Sequence, residues 1–192
     1  MDNLEICCGK RKKEGYLGLD KSINSNAQII ADVSTGLPFK ANIFKNIRMI
    51  NALEHFTDTI SIIHEIHRVS KNNAKITLIV PHFSSMYTWI DPDHKKSFAY
   101  TTFDSFTKKH GNYDIKKIPF KILTKKLIYE DTNALKTRFK KGIFRKVCLS
   151  LIFVISKIVE QIANLSPLFC ERVWCYYVGG FNSIQIELKV IK

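Results

Sequence analysis

From residue 1 to about 105 the chain alternates short apolar runs with polar or amphipathic stretches. Leu4 to Ile6, Tyr16 to Leu19, Gln28 to Ala31, Asn46 to Ile50 and Lys75 to Val80 read as strands, with a helix from about Asp58 to Val69. This is the pattern of parallel strands joined by crossovers. Further on the organisation changes. Lys121 to Tyr129 reads as a strand, and so does Ser183 to Ile191, where Ile184, Ile186, Leu188 and Val190 alternate with Gln185, Glu187 and Lys189. Between them lies an insertion, about Thr137 to Leu165. Its residues Phe144, Cys148, Leu151, Ile155, Ile158, Ile162 and Leu165 recur at helical spacing on one face, and Val147, Ile152, Val154 and Val159 widen the stripe.

The approach to that amphipathic helix is basic, with Lys136, Arg138, Lys140, Lys141, Arg145 and Lys146. A basic approach and an apolar stripe suit a helix lying on an anionic membrane surface. The same stripe, residues 143–165, also suits packing over the sheet or pairing with a second copy in a homodimer. It does not suit a membrane span, since Arg145, Lys146, Lys157 and Glu160 interrupt the apolar run well short of about 20 residues.

Charge and composition narrow the classes further. The 192 residues carry a formal net charge of +13, which favours anionic partners, while 45% hydrophobic content is that of a globular chain, read here as a single domain over 1–192. The basic residues are spread rather than interleaved with aromatics in one element, which weighs against nucleic acid. Cys7, Cys8, Cys148, Cys170 and Cys175 are odd in number and two are adjacent, so they form no disulfide framework and a reduced compartment is expected. The first strand starts within a few residues of Met1, leaving no room for a secretory leader. The expected location is cytoplasmic, or peripheral at the inner membrane face if the helix meets lipid.

The most informative stretch is Leu4-Glu5-Ile6-Cys7-Cys8-Gly9, followed by Gly18-Leu19-Asp20. It reads as strand, tight loop, short crossover and a second strand ending in an acid. A doubly wound sheet presents a nucleoside in this way, with glycine allowing close backbone approach and the acid available to both ribose hydroxyls. Downstream come Asp32, Leu37-Pro38-Phe39, Leu53-Glu54-His55, Glu65-Ile66-His67-Arg68-Val69-Ser70-Lys71 and Val80-Pro81-His82. In this order the motifs resemble those of class I S-adenosylmethionine-dependent methyltransferases. His82-Phe83-Ser84-Ser85, Trp89, Asp91-Pro92-Asp93-His94-Lys95 and Ser97-Phe98 look like a subgroup of small bacterial methyltransferases often found among enzymes of cell-surface polysaccharide assembly. The resemblance implies an α/β fold: a doubly wound, Rossmann-like, mostly parallel sheet with antiparallel C-terminal strands, plus the helical insertion. Three places depart from the family pattern. Cys7 stands where the first loop glycine is expected, Lys45 replaces an acid, and Asn72-Asn73-Ala74 replaces Pro-Gly-Gly. The last is benign, because Asn tolerates a left-handed turn.

The resemblance also implies a cofactor, S-adenosylmethionine, and roles for single residues. Asp20 would bind the ribose hydroxyls. Glu5 would help hold the methionine end, with Cys7 lining the loop, Cys8 contributing backbone and Gly9 permitting close approach. Asp32 and Val33 would lie beside the adenine, and Asn51 and Ala52 on the cofactor's other side. On the acceptor side His55, His82, Trp89, Asp91 and His94 follow the fourth or fifth strand and open on the same sheet edge. His82 is the first choice of base and His94 the second, because an imidazole titrates near working pH, and Asp91 stands beside them. Metal ligation is not expected. In His64-Glu65-Ile66-His67 the histidines are three apart rather than four, and Cys170 and Cys175 are too widely spaced for a zinc knuckle. A nicotinamide site would want a fuller glycine loop. Two functions follow: a methyltransferase for a small-molecule, saccharide or glycan-precursor acceptor, or a catalytically decayed binding or scaffold protein of the same fold.

Overall fold

The computed structural model describes residues 2–107, 120–129, 143–177 and 179–192. Seven strands form one sheet in the order β3-β2-β1-β4-β5-β7-β6. They are β1 (Asn3–Ile6), β2 (Leu17–Asp20), β3 (Ile29–Ile30), β4 (Phe44–Ile50), β5 (Ser70–Pro81), β6 (Phe120–Ile128) and β7 (Ser183–Val190). β1 to β5 pair in parallel, and β7 runs antiparallel between β5 and β6. This is the expected mostly parallel sheet with antiparallel C-terminal strands, and strand bounds differ from the sequence reading mainly at β3 and β5. β5 begins five residues early because Asn73 adopts φ +64, the left-handed turn foreseen for the Asn pair, and the chain stays extended on both sides.

Of the crossovers between parallel strands, only that from β4 to β5 carries an α-helix, α1 (Thr59–Val69), capped by Asp58, whose side chain accepts from the Ser61 amide at 2.9 Å. The β1–β2 connection is a loop without an apolar repeat, Lys10 to Gly15, and is too short for a helix and two turns. Polar side chains cover the sheet there instead. Glu5 and Arg48 are register partners on β1 and β4, their side chains meet at 3.2 Å, and the Arg48 guanidinium lies over the Tyr16 ring.

The core is mainly aliphatic, with Leu4, Ile6, Leu19, Ile47, Met49, Ile76, Leu78, Ile184, Ile186 and Leu188 in the sheet and Ile63 and Ile66 of α1 packed on it, and Phe44, Phe103 and Phe181 are its largest fully buried side chains. Two distant sequence motifs prove to be one clamp. Glu65 accepts from the Leu37 amide and from Arg68, while Arg68 donates to the carbonyls of Leu37 and Phe39, so α1 holds the Leu37-Pro38-Phe39 turn in place.

The short helix α2 (Met86–Ile90) follows β5, and the insertion contains helix α3 (Ile143–Leu165), followed after a sharp bend by α4 (Pro167–Tyr177), which includes a π-helical stretch. Lys136, Arg138, Lys140 and Lys141 lie outside the described residues, and Phe144, Arg145, Lys146, Val147 and Cys148 outside the described side chains. The rest of the stripe does not cover the sheet. Ser156 and Ala163 are the buried residues among the described side chains of α3, and Asn164 bonds through its amide to both the NH and the carbonyl of Leu127, closing off edge strand β6. Leu151, Ile155, Ile158, Ile162 and Leu165 face outward. No single helix among the described residues is long and apolar enough to cross a membrane; α3 from Ser150 and α4 pass that test only together, across a 105° bend.

Candidate active site

Parallel strands all end at one edge, and the loops leaving β1, β2, β3 and β4 there enclose a cavity of about 460 Å³. Its wall includes Cys7, Asp20, Asp32, Val33, Asn51 and Ala52. These six come from four separate loops, and the sheet order brings them together.

Asp20 is fixed at the floor. One carboxylate oxygen accepts from the Gly9 amide and the other from the Ser22 amide, both at 2.8 Å, so each keeps a lone pair for a ligand. Gly9, at φ +54, makes that contact possible without itself lining the cavity. Asp32 caps a 3-10 turn, Val33–Thr35, and accepts from the Ser34 amide and hydroxyl; these two bonds hold its carboxyl below the usual carboxylate range. Asn51 adopts φ +46 and turns the chain sharply out of β4. Cys7 has φ +53, the conformation that a glycine would adopt without strain. Burial first, then the charge of Asp20, pushes its thiol up to about 12, so it is a neutral wall group and not a nucleophile.

Glu5 and Cys8 are not at the cavity. Glu5 is buried against Arg48 and accepts from the Lys13 amide, so it shapes the loop from behind, and the Cys8 side chain is buried beneath Gly18. Lys45, the other departure, sits at the opposite end of β4 and pairs with Asp2 at 2.9 Å, away from the site.

A second cavity of about 380 Å³ adjoins the first and shares Asn51 and His55 with it. Glu54, Tyr87, Asp91, His94, Asn182 and Ser183 are among its lining residues. His94 and Asp91 are therefore where the acceptor side was expected. His82 is not. Its ring is fully buried, with Nδ1 2.6 Å from the Ser84 hydroxyl and Nε2 3.2 Å from Glu171 of α4, and it lines neither cavity. Nδ1 is taken up by Ser84 just beyond β5 and Nε2 by Glu171 of α4, so neither nitrogen faces a cavity, against its assignment as the base. Trp89 is exposed, its indole NH donating to the Phe83 carbonyl, and it lines neither cavity.

Several lining residues escaped the sequence reading. Lys21 and Lys95 add ammonium groups to the first cavity. Glu54 was read only as part of a motif, yet it is buried with both carboxylate oxygens unbonded, and burial pushes its carboxyl up. A glutamate in an otherwise apolar turn was the available signal.

No protein-family model matches the chain, and no curated protein matches its sequence. Solved structures do match. The YcgJ protein of Bacillus subtilis is 15% identical over 99% of this chain and 92% of its own, with a TM-score of 0.57. A SAM-dependent methyltransferase from Archaeoglobus fulgidus is 18% identical over 97% and 85%, with a TM-score of 0.56. The [4+2]-cyclase SpnF is 13% identical over 98% and 74%, with a TM-score of 0.58. At such identities the likeness is one of fold: this chain has the α/β fold of the class I S-adenosylmethionine-dependent methyltransferases. A cyclase among the neighbours shows that this fold alone does not set the reaction.

Proposed function

We propose that the chain binds S-adenosylmethionine in the first cavity and transfers its methyl group to an oxygen or nitrogen of a small-molecule acceptor in the second, a saccharide or glycan precursor in the finer reading. The continuity of the two cavities at Asn51 and His55 carries this proposal, because donor and acceptor must meet in line. The first cavity lies within the range of about 300–1,000 Å³ usual for small ligands, and its groups fit the cofactor chemically. Asp20 offers acceptors for a diol, Asp32 for an amine, and Lys21 and Lys95 offer cations for a carboxylate.

The cofactor supplies a methyl group already activated on a sulfonium. What remains for the protein is to orient the acceptor, exclude water and receive its proton. We assign that proton to Asp91, which lines the second cavity with His94 beside it. Cys7 gives no specific support to the decayed-scaffold alternative, since it lines the cavity and the cavity persists beside it. Calorimetry with S-adenosylmethionine and S-adenosylhomocysteine tests the reading. Micromolar binding is expected, lost in Asp20→Ala without unfolding; a folded wild-type protein that binds neither would refute it.

For the outward face of α3 we propose peripheral contact with an anionic membrane surface, supported by its apolar side chains on a chain of net charge +13.

A further inference from the structure

We infer that Glu54, His55 and His94 form a site for a divalent transition-metal ion on the wall of the acceptor cavity. One ligand atom from each lies within 4.8 Å of the other two. From that arrangement each needs to move inward by roughly 0.7 Å to reach the about 2.1 Å of a zinc bond to nitrogen or oxygen, which is side-chain adjustment only.

Glu54 points most strongly to a cation. The residue is 1% exposed, and neither carboxylate oxygen has a hydrogen-bond partner. A buried carboxylate without hydrogen bonds is costly unless a cation lies against it. The Lys95 and Lys96 amides bond to the Glu54 carbonyl and not to the side chain, and the Lys95 ammonium pairs with Asp93. Those amide bonds do fix the turn of Glu54 and His55 against the loop that carries His94.

The two imidazoles are oriented as ligands are. Nδ1 of His94 lies 3.3 Å from the Thr88 carbonyl, which can only accept, so Nδ1 carries the hydrogen. In the neutral imidazole Nε2 then carries the lone pair, and it faces Glu54 Oε1 and Asp91 Oδ2, each 3.9 Å away. Electron pairs converge there without a donor between them. His55 repeats the pattern: its Nδ1 lies 3.2 Å from Asp93 Oδ2, leaving Nε2 to coordinate, and its ring packs edge-on to His94 at 4.7 Å. A ring nitrogen tied to a carbonyl or carboxylate while the other binds is the usual second layer of a metal site. Two imidazoles and a carboxylate select ions of the zinc, iron, manganese and cobalt group over calcium or magnesium. Positions left open face the acceptor cavity, so the inference deepens the methyl-transfer reading: the ion would hold an oxygen donor of the acceptor, such as a hydroxyl.

Cobalt(II) is the probe. Added to chelator-treated full-length protein, it is expected to bind at one equivalent with visible bands of nitrogen and oxygen ligation and no near-ultraviolet charge transfer from thiolate. Glu54→Gln and His94→Ala should each weaken binding at least tenfold. On the unmodified protein, zinc should shift the imidazole nitrogen resonances of His55 and His94 alone, a readout that holds even if a variant fails to fold. Absence of stoichiometric binding, affinity unchanged in both variants, or a thiolate signature would overturn the site. S-adenosylhomocysteine affinity, measured separately on chelated protein and on Asp20→Ala, reports the cofactor cavity independently, so loss of one reading does not carry the other.

Discussion

Replacing Glu171 with alanine separates a structural His82 from a catalytic one. Glu171 accepts from the Tyr100 amide and faces His82 Nε2 at 3.2 Å, and both side chains of the pair are buried. Removing the carboxylate strands two buried groups, at about 1–3 kcal/mol each, in line with the roughly 3–5 kcal/mol for breaking a buried pair. With a urea m-value of about 2 kcal/mol/M, the unfolding midpoint should fall by roughly 2 M at pH 7 with m unchanged. His82→Ala should fall by a similar amount, and S-adenosylhomocysteine affinity of the folded fraction should stay at the wild-type value. The pH dependence has a definite sign. Burial pushes the Glu171 carboxyl up, but the bonds with His82 and the Tyr100 amide outweigh it and hold the group below its ordinary 4.5. Its contribution is therefore complete above about pH 4.5 and is lost as pH falls through the lower folded value, so wild type should lose stability there and Glu171→Ala should lose less. Stabilities within about 0.5 kcal/mol of wild type, combined with abolished methyl transfer, would refute the structural role and restore His82 as the base.

Other expectations rest on single contacts. Cys7→Gly removes a left-handed strain of about 1–2 kcal/mol against about 0.5–1 kcal/mol of added chain entropy, so stability should change by less than about 1 kcal/mol and cofactor affinity should hold or rise; a loss of affinity in calorimetry would show that the thiol is part of the binding surface. Arg68→Ala releases the Leu37 and Phe39 carbonyls and should cost about 1–2 kcal/mol in urea unfolding while also weakening the cofactor, because the adjoining turn at Asp32 and Val33 loses its brace. Unchanged affinity would sever that link. For the outward face of α3, vesicles rich in anionic lipid should sediment the protein and Ile155→Asp with Ile158→Asp should abolish it. A concentration-dependent dimer by light scattering, with no vesicle capture, would assign the face to a second copy.

Local pattern made much of this protein legible. Strand length and alternation marked every strand to within a few residues, apart from β5, and the Asn pair announced its own left-handed turn. Six of the nine residues expected at the cofactor converge on one cavity, because an acid or small residue just beyond a parallel strand has nowhere else to be. The failures share one cause. His82 directly follows a strand end, as a base should, but sequence could not show that Glu171, far along the chain, folds back beneath it. Glu5 lies in the first motif, yet pleat alternation turns it toward Arg48 and away from the cavity. The stripe on α3 was correctly amphipathic, while the side turned to the protein was decided by Asn164 reaching the β6 backbone and not by the apolar residues. Glu54, His55 and His94 meet because two loops are joined by backbone bonds, a juxtaposition that no spacing encodes. Sequence determined the elements and the sheet edge on which the candidate residues gather, since both follow from local periodicity. Tertiary structure alone decided which side chains face that edge with an unbalanced charge, because burial and partnership depend on contacts between residues far apart in the chain.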